Sequence, residues 1–111
     1  VSSLTALIGE RLTLPSTVNA LLLRSTAQQR AGLLEAALAD ARAARNLARR
    51  LQGDKPTSVR TGLAWLAIAQ LLSDAGKADD ARRESAQALR QLQDAVDADH
   101  PALEQARALL K

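Results

Sequence analysis

Residues 65–88 read WLAIAQLLSDAGKADDARRESAQA and contain two helical runs on either side of a short turn. The turn is formed by Ala75, Gly76 and Lys77, where glycine is suited to end a helix. Small residues, Ala69 and Ala81 among them, lie where the two runs would have to touch. The stretch therefore predicts an antiparallel helical hairpin with a close crossing.

The composition predicts helix along the rest of the chain as well. Ala and Leu together make up 45 of the 111 residues, whereas Phe, Tyr, Cys and Met are absent. Residues that favour strands are scarce, with four Val and two Ile, so we expect an all-α fold. A chain of this length can bury a modest core as one domain or part of one.

Charge and hydropathy exclude several classes of protein. There are 15 Lys and Arg against 12 Asp and Glu, and the resulting net charge of +3 is too small to indicate nucleic-acid binding unless the charges cluster. The lack of Cys excludes disulfides and thiolate chemistry. No apolar run approaches the roughly 18 residues of a membrane span. We expect a soluble, cytoplasmic protein.

Proline and glycine divide the chain into about six antiparallel helices with an internal repeat. Pro15, Pro56 and Pro101 open helices at intervals of 41 and 45 residues, and Gly32 and Gly76 are 44 residues apart. We predict helices over residues 3–12, 16–29, 33–51, 57–74, 78–95 and 101–110. The expected organisation is a short N-terminal helix over 1–14, hairpins over 15–55 and 56–100, and a capping helix over 101–111.

The second hairpin also has a characteristic residue spacing. Counted from Trp65, the chain has Ala69 four positions on, Leu72 seven, Gly76 eleven, Ala81 sixteen and Ala88 twenty-three. This spacing resembles the tetratricopeptide repeat, and the longer unit is similar to those of the kinesin light chain type and of the bacterial proteins that share them. The resemblance implies a right-handed helical solenoid whose inner face is lined by the first helix of each hairpin.

The resemblance also implies where a partner would bind. Matching the two units places an apolar surface on the inner face, and the predicted partner-binding residues are Asn19, Leu22, Thr26, Leu63, Leu66 and Gln70. We expect Leu23 to be buried against a neighbouring repeat or a second chain, and Leu63 and Leu66 to be free for a partner. The Lys and Asn side chains with which some members grip a C-terminal carboxylate are absent at these positions.

Other conspicuous residues receive structural interpretations. Trp65 is the sole aromatic residue and is expected to pack between the two helices of the second hairpin. Arg42, Arg45 and Arg49 share one helical face, which could bind phosphates or an acidic partner but which we interpret as a solvated outer face. With one His, no Cys and no phosphate-binding loop, we expect no catalytic residues, no metal and no cofactor.

These observations favour a non-enzymatic scaffold for protein–protein interaction, forming part of a larger protein. The alternative is a regulatory or dimerisation appendage of a multidomain kinase or transcription regulator. The expected partner is a protein or peptide, a homo-oligomer remains possible, nucleic acid is disfavoured and no membrane contact is expected.

Overall fold

Five helices account for most of residues 15–111, the part of the chain that the computed structural model describes. They are α1 (Pro15–Arg30), α2 (Leu34–Gln52), α3 (Val59–Asp74), α4 (Ala78–Leu92) and α5 (Pro101–Leu110). No strand occurs within these residues, which confirms the all-α class for this part of the chain. The helix predicted over residues 3–12 lies outside the described residues.

The helix ends follow from local chemistry. Gly32 and Gly76 have φ angles of 79° and 80°, a conformation that costs glycine little, and they end the turns after α1 and α3. Ser58 caps α3 by accepting a hydrogen bond from the Thr61 N–H at 3.3 Å. His100 caps α5 in the same way, because its Nδ1 accepts from the Ala102 N–H at 3.1 Å. The predicted bounds of these helices are therefore confirmed to within two residues.

Helix α4, which was predicted over residues 78–95, is shorter than expected. It ends at Leu92, whereas the sequence pattern continued to Ala95. The Ala95 N–H donates to the Leu92 carbonyl three residues before it, a tighter bond than that of an α-helix, and residues 93–96 form a turn.

Packing proceeds in order along the chain. Each helix packs against the next, and in addition α1 contacts α3 and α3 contacts α5. The buried residues form three successive clusters, at α1–α2–α3, at α2–α3–α4 and at α3–α4–α5. Together the described residues form an elongated body of 49 × 34 × 19 Å.

Small residues set the closeness of the crossing between α3 and α4. Ala69, Ala81 and Ala88 are all buried there, as the hairpin prediction requires. Gly62 allows a still closer approach, because a methyl group added to it would lie 2.5 Å from Leu92 Cγ. Half-buried Trp65 packs against the clusters on both sides of this crossing.

One glutamine links the two hairpins. The Gln52 amide donates to the Lys55 carbonyl at 2.8 Å and to Gln91 Oε1 at 3.0 Å. Its oxygen accepts from the hydroxyl of Thr61, a fully buried residue, at 2.8 Å. The last turn of α2, the loop that follows it, and helices α3 and α4 are therefore held by a single side chain.

Candidate interaction groove

The predicted partner-binding residues of α1 do lie together on the surface. A recess of about 400 Å³ is lined by Asn19, Leu22, Leu23 and Thr26, which follow one stripe of α1. A second recess of about 390 Å³ lies where the start of α3 meets α1, and Asn19 lines it as well. We call the combined surface the α1–α3 groove; its lining is Asn19, Leu22, Leu23, Thr26, Ser58, Val59, Arg60 and Leu63.

Two predicted residues are not available in this groove. Leu66 is only 3% exposed, so the expectation that it faces a partner is wrong. It belongs to the apolar cluster that α3 and α4 form with α5, and α5 covers it. Gln70 is half-buried, and its amide donates to Gln105 Oε1 of α5 at 3.3 Å. Helix α5 thus occupies the part of α3 that was predicted to be free.

Leu23 departs from its prediction in the opposite direction. It was expected to be buried, but its exposed fraction is 72%, the highest among the large apolar side chains of the described residues. Its neighbour Leu22 is half-buried and packs against the cluster of α1, α2 and α3. Leu22 therefore anchors α1, while Leu23 presents an apolar side chain at the surface.

Val59 and Arg60 are groove residues that the sequence reasoning missed. They lie in the first turn of α3, directly after the Ser58 cap, and they line the second recess with Leu63. No local signal in the sequence places them there, because their position beside Asn19 depends on how the start of α3 packs against α1.

Charge in the groove is of one sign. Helix α1 carries Arg24 and Arg30 and no acidic residue, and α3 carries Arg60 and no acid until Asp74 at its end. Arg24 is neutralised by Asp40 of α2, through contacts of 2.5 and 2.8 Å from Nε and Nη2. The hydrogen bond from Arg24 lowers the pKa of the Asp40 carboxyl, despite the burial of that group. The groove is therefore lined by apolar and uncharged polar side chains, with Arg60 as its one charged residue.

The arginine stripe of α2 is not wholly solvated. Arg42 and Arg49 are exposed as predicted, but Arg45 is half-buried, with its Cζ 4.8 Å from the centroid of the Trp65 ring. This is a cation–π contact. Burial lowers the pKa of Arg45, and Arg42 and Arg49 lower it further, while Glu84 opposes the shift. Trp65 therefore contacts the first hairpin as well as the helices it was predicted to join.

Two further observations concern membrane spanning and the histidine, for the helices of residues 15–111. None of them is both long and apolar enough to traverse a lipid bilayer. The side chain of His100, the one His of the sequence, caps α5. Comparison with models of protein families, with curated proteins and with solved structures found no significant match to this chain.

Proposed function

We propose that this chain is a non-enzymatic protein-interaction module of tetratricopeptide-like type, and that the α1–α3 groove binds a short amphipathic segment of a partner protein. The observation that carries the proposal is the position of Leu23, a large apolar side chain that lines a recess and is 72% exposed. Exposed apolar groups grouped around a recess are typical of interaction sites. The successive packing of the helices supports the repeat architecture.

The lining of the groove indicates what kind of segment would fit. Leu22, Leu23 and Leu63 offer apolar contact, and a segment must bury apolar side chains against them to bind. Asn19 lies between the two recesses, and its amide can both donate and accept hydrogen bonds. From Asn19 to Thr26 the stripe rises about 10 Å along α1. This length accommodates two apolar side chains placed about two helical turns apart.

The test uses a random 12-residue peptide library displayed on phage, selected against the chain. Leu23→Asp should weaken the binding of the selected peptides by about tenfold or more, because it places a charge against apolar atoms. The matched control is Leu33→Asp, since Leu33 is 55% exposed at the N-cap of α2, outside the groove, where Asp is well tolerated. Affinity for the control should stay within twofold of the wild type.

Two outcomes would count against the proposal. Failure to select any peptide whose binding depends on Leu23 would exclude the groove as a binding site. Sedimentation of the wild type as a dimer, with Leu23→Asp monomeric, would show that a second copy of the chain covers the groove. Circular dichroism melts of both variants establish that each remains folded.

A further inference from the structure

The second half of α2 carries positive charge that the α1–α3 groove does not use. Residues 41–52 contain four arginines and no acidic residue. We call these four residues, Arg42, Arg45, Arg49 and Arg50, the basic face of α2. Among the ion pairs of residues 15–111, none involves a member of this face. In that part of the chain Glu84 of α4 acts on Arg45 without forming an ion pair with it, and the face has no direct acidic partner.

The arginines of α4 show the contrasting arrangement. Arg82 pairs with Asp79 at 2.6 Å, and Arg83 pairs with Asp80, in each case three residues apart on the same helix. Arg82 and Arg83 of α4 thus each have an acid three residues before them, whereas no arginine of the basic face has an acid three residues before or after it.

One arginine of the basic face is held in place. The guanidinium of Arg45 lies against Trp65, and its Nε donates to Asn46 Oδ1 at 3.1 Å. That bond engages the Asn46 oxygen and leaves the Asn46 amide hydrogens to donate elsewhere. Asn46, Arg49 and Arg50 line a recess of about 350 Å³. The polar groups around this recess are mainly hydrogen-bond donors, an arrangement suited to an anion.

We propose that the basic face of α2 is a second interaction surface, independent of the groove, and that it binds an acidic helical segment of a partner protein. The axial separations are about 6 Å from Arg45 to Arg49 and about 10 Å from Arg42 to Arg49. Carboxylates four and seven residues apart on another helix have the same separations. Each guanidinium can hold a carboxylate through two parallel hydrogen bonds.

Nucleic acid fits this surface less well. Proteins that bind single strands stack bases on aromatic side chains, and the sole aromatic residue of the chain, Trp65, is half-buried beneath Arg45. Binding to duplex DNA depends on many phosphate contacts, whereas the basic face offers four arginines within nine residues. The geometry points to a partner that is short and helical.

Trp65 provides a direct readout, because its fluorescence is the only tryptophan signal of the chain. The probe is a synthetic 20-residue Ala-rich helical peptide without aromatic residues, with Glu placed on one face at i, i+4 and i+7. A scrambled peptide carries the same Glu residues around all faces. In 50 mM salt we expect a saturable fluorescence change with the first peptide, at least fivefold weaker binding of the scrambled one, and loss of binding in 500 mM salt.

Two double variants with the same change in net charge separate a local site from general electrostatic attraction. Arg42→Gln/Arg49→Gln should weaken peptide binding about tenfold, as expected for the loss of two exposed charge pairs. Arg82→Gln/Arg83→Gln should leave the affinity for the peptide within about twofold of that of the wild type. Equal weakening by both pairs, or equal binding of both peptides, would overturn the proposal. Tighter binding of a 12-base-pair DNA duplex or of a vesicle of anionic lipid than of the ordered peptide would also overturn it.

Discussion

Replacing Gly62 by Ala is expected to destabilise the protein, although Ala is the better helix former. Gly62 lies within α3, and a methyl group there would be 2.5 Å from Leu92 Cγ and 2.7 Å from Leu92 Cδ2. Carbon atoms in contact are normally about 3.5–4.0 Å apart. Leu92 must therefore move by about an ångström, and it has little room to do so because its exposed fraction is 0%.

Two opposing effects determine how much Gly62→Ala changes the free energy of unfolding. Forcing an additional carbon into a packed core costs about 1–3 kcal/mol, whereas replacing Gly by Ala in a helix contributes about 0.5–1 kcal/mol of stability. The difference between these ranges is about 0–2.5 kcal/mol, and because Leu92 is fully buried we expect the free energy of unfolding to fall by about 1–2 kcal/mol. Urea denaturation, followed by circular dichroism and by Trp65 fluorescence, measures this difference.

A double-mutant cycle with Leu92→Ala isolates the cause. Leu92→Ala alone should cost about 2–5 kcal/mol, and it removes both atoms that the new methyl group would strike. In that background the closest remaining atom is Gln91 Cβ at 3.2 Å, so Gly62→Ala should cost at least about 1 kcal/mol less than it does in the wild type. If Gly62→Ala has the same effect in both backgrounds, or stabilises the wild type, then α3 and α4 do not approach as described.

Two further predictions concern a buried leucine and a buried carboxylate. Leu66→Asp should abolish the cooperative thermal transition seen by circular dichroism, because it buries a charge in the cluster of α3, α4 and α5. A melt like that of the wild type would show that Leu66 is exposed. The bond from Arg24 lowers the pKa of Asp40 below its ordinary value of 3.8. At acidic pH the unfolded chain therefore binds more protons than the folded one. The stability that the pair contributes is complete above about pH 5 and is lost as the pH falls below about 4. Arg24→Gln should therefore flatten the dependence of urea midpoints on pH between 5 and 2, and unchanged slopes would contradict this role of the pair.

The helices were predictable because the signals that define them are local. Gly32 and Gly76 end helices through their own backbone conformation, and Pro101 begins one through its missing N–H group. The close crossing of α3 and α4 was also predictable, since small residues recur where two helices of a hairpin must touch. Neither inference needs any knowledge of distant parts of the chain.

The site was less predictable because it depends on which helix covers which surface. Leu22 and Leu66 are 44 residues apart and occupy equivalent positions in the repeat, yet α5 covers Leu66 with its own apolar residues. The sequence predicted α5 but could not place it on that part of α3. Arg45 and Trp65 are likewise 20 residues apart, and the periodicity of each helix alone gives no indication that they meet.

The hydrogen bonds of Gln52 to Lys55, Thr61 and Gln91, which we call the Gln52 junction, affect how the protein unfolds. Fraying of the last turn of α2 would leave the buried hydroxyl of Thr61 without its acceptor and would break the link to Gln91. Each hydrogen bond of Gln52 that is lost costs about 1 kcal/mol, and because these bonds reach α3 and α4, local opening at the end of the first hairpin also loosens the second. Helical repeats can unfold one unit at a time when each contacts only its neighbours. In this chain the junction favours concerted unfolding, with the two hairpins behaving as one cooperative unit.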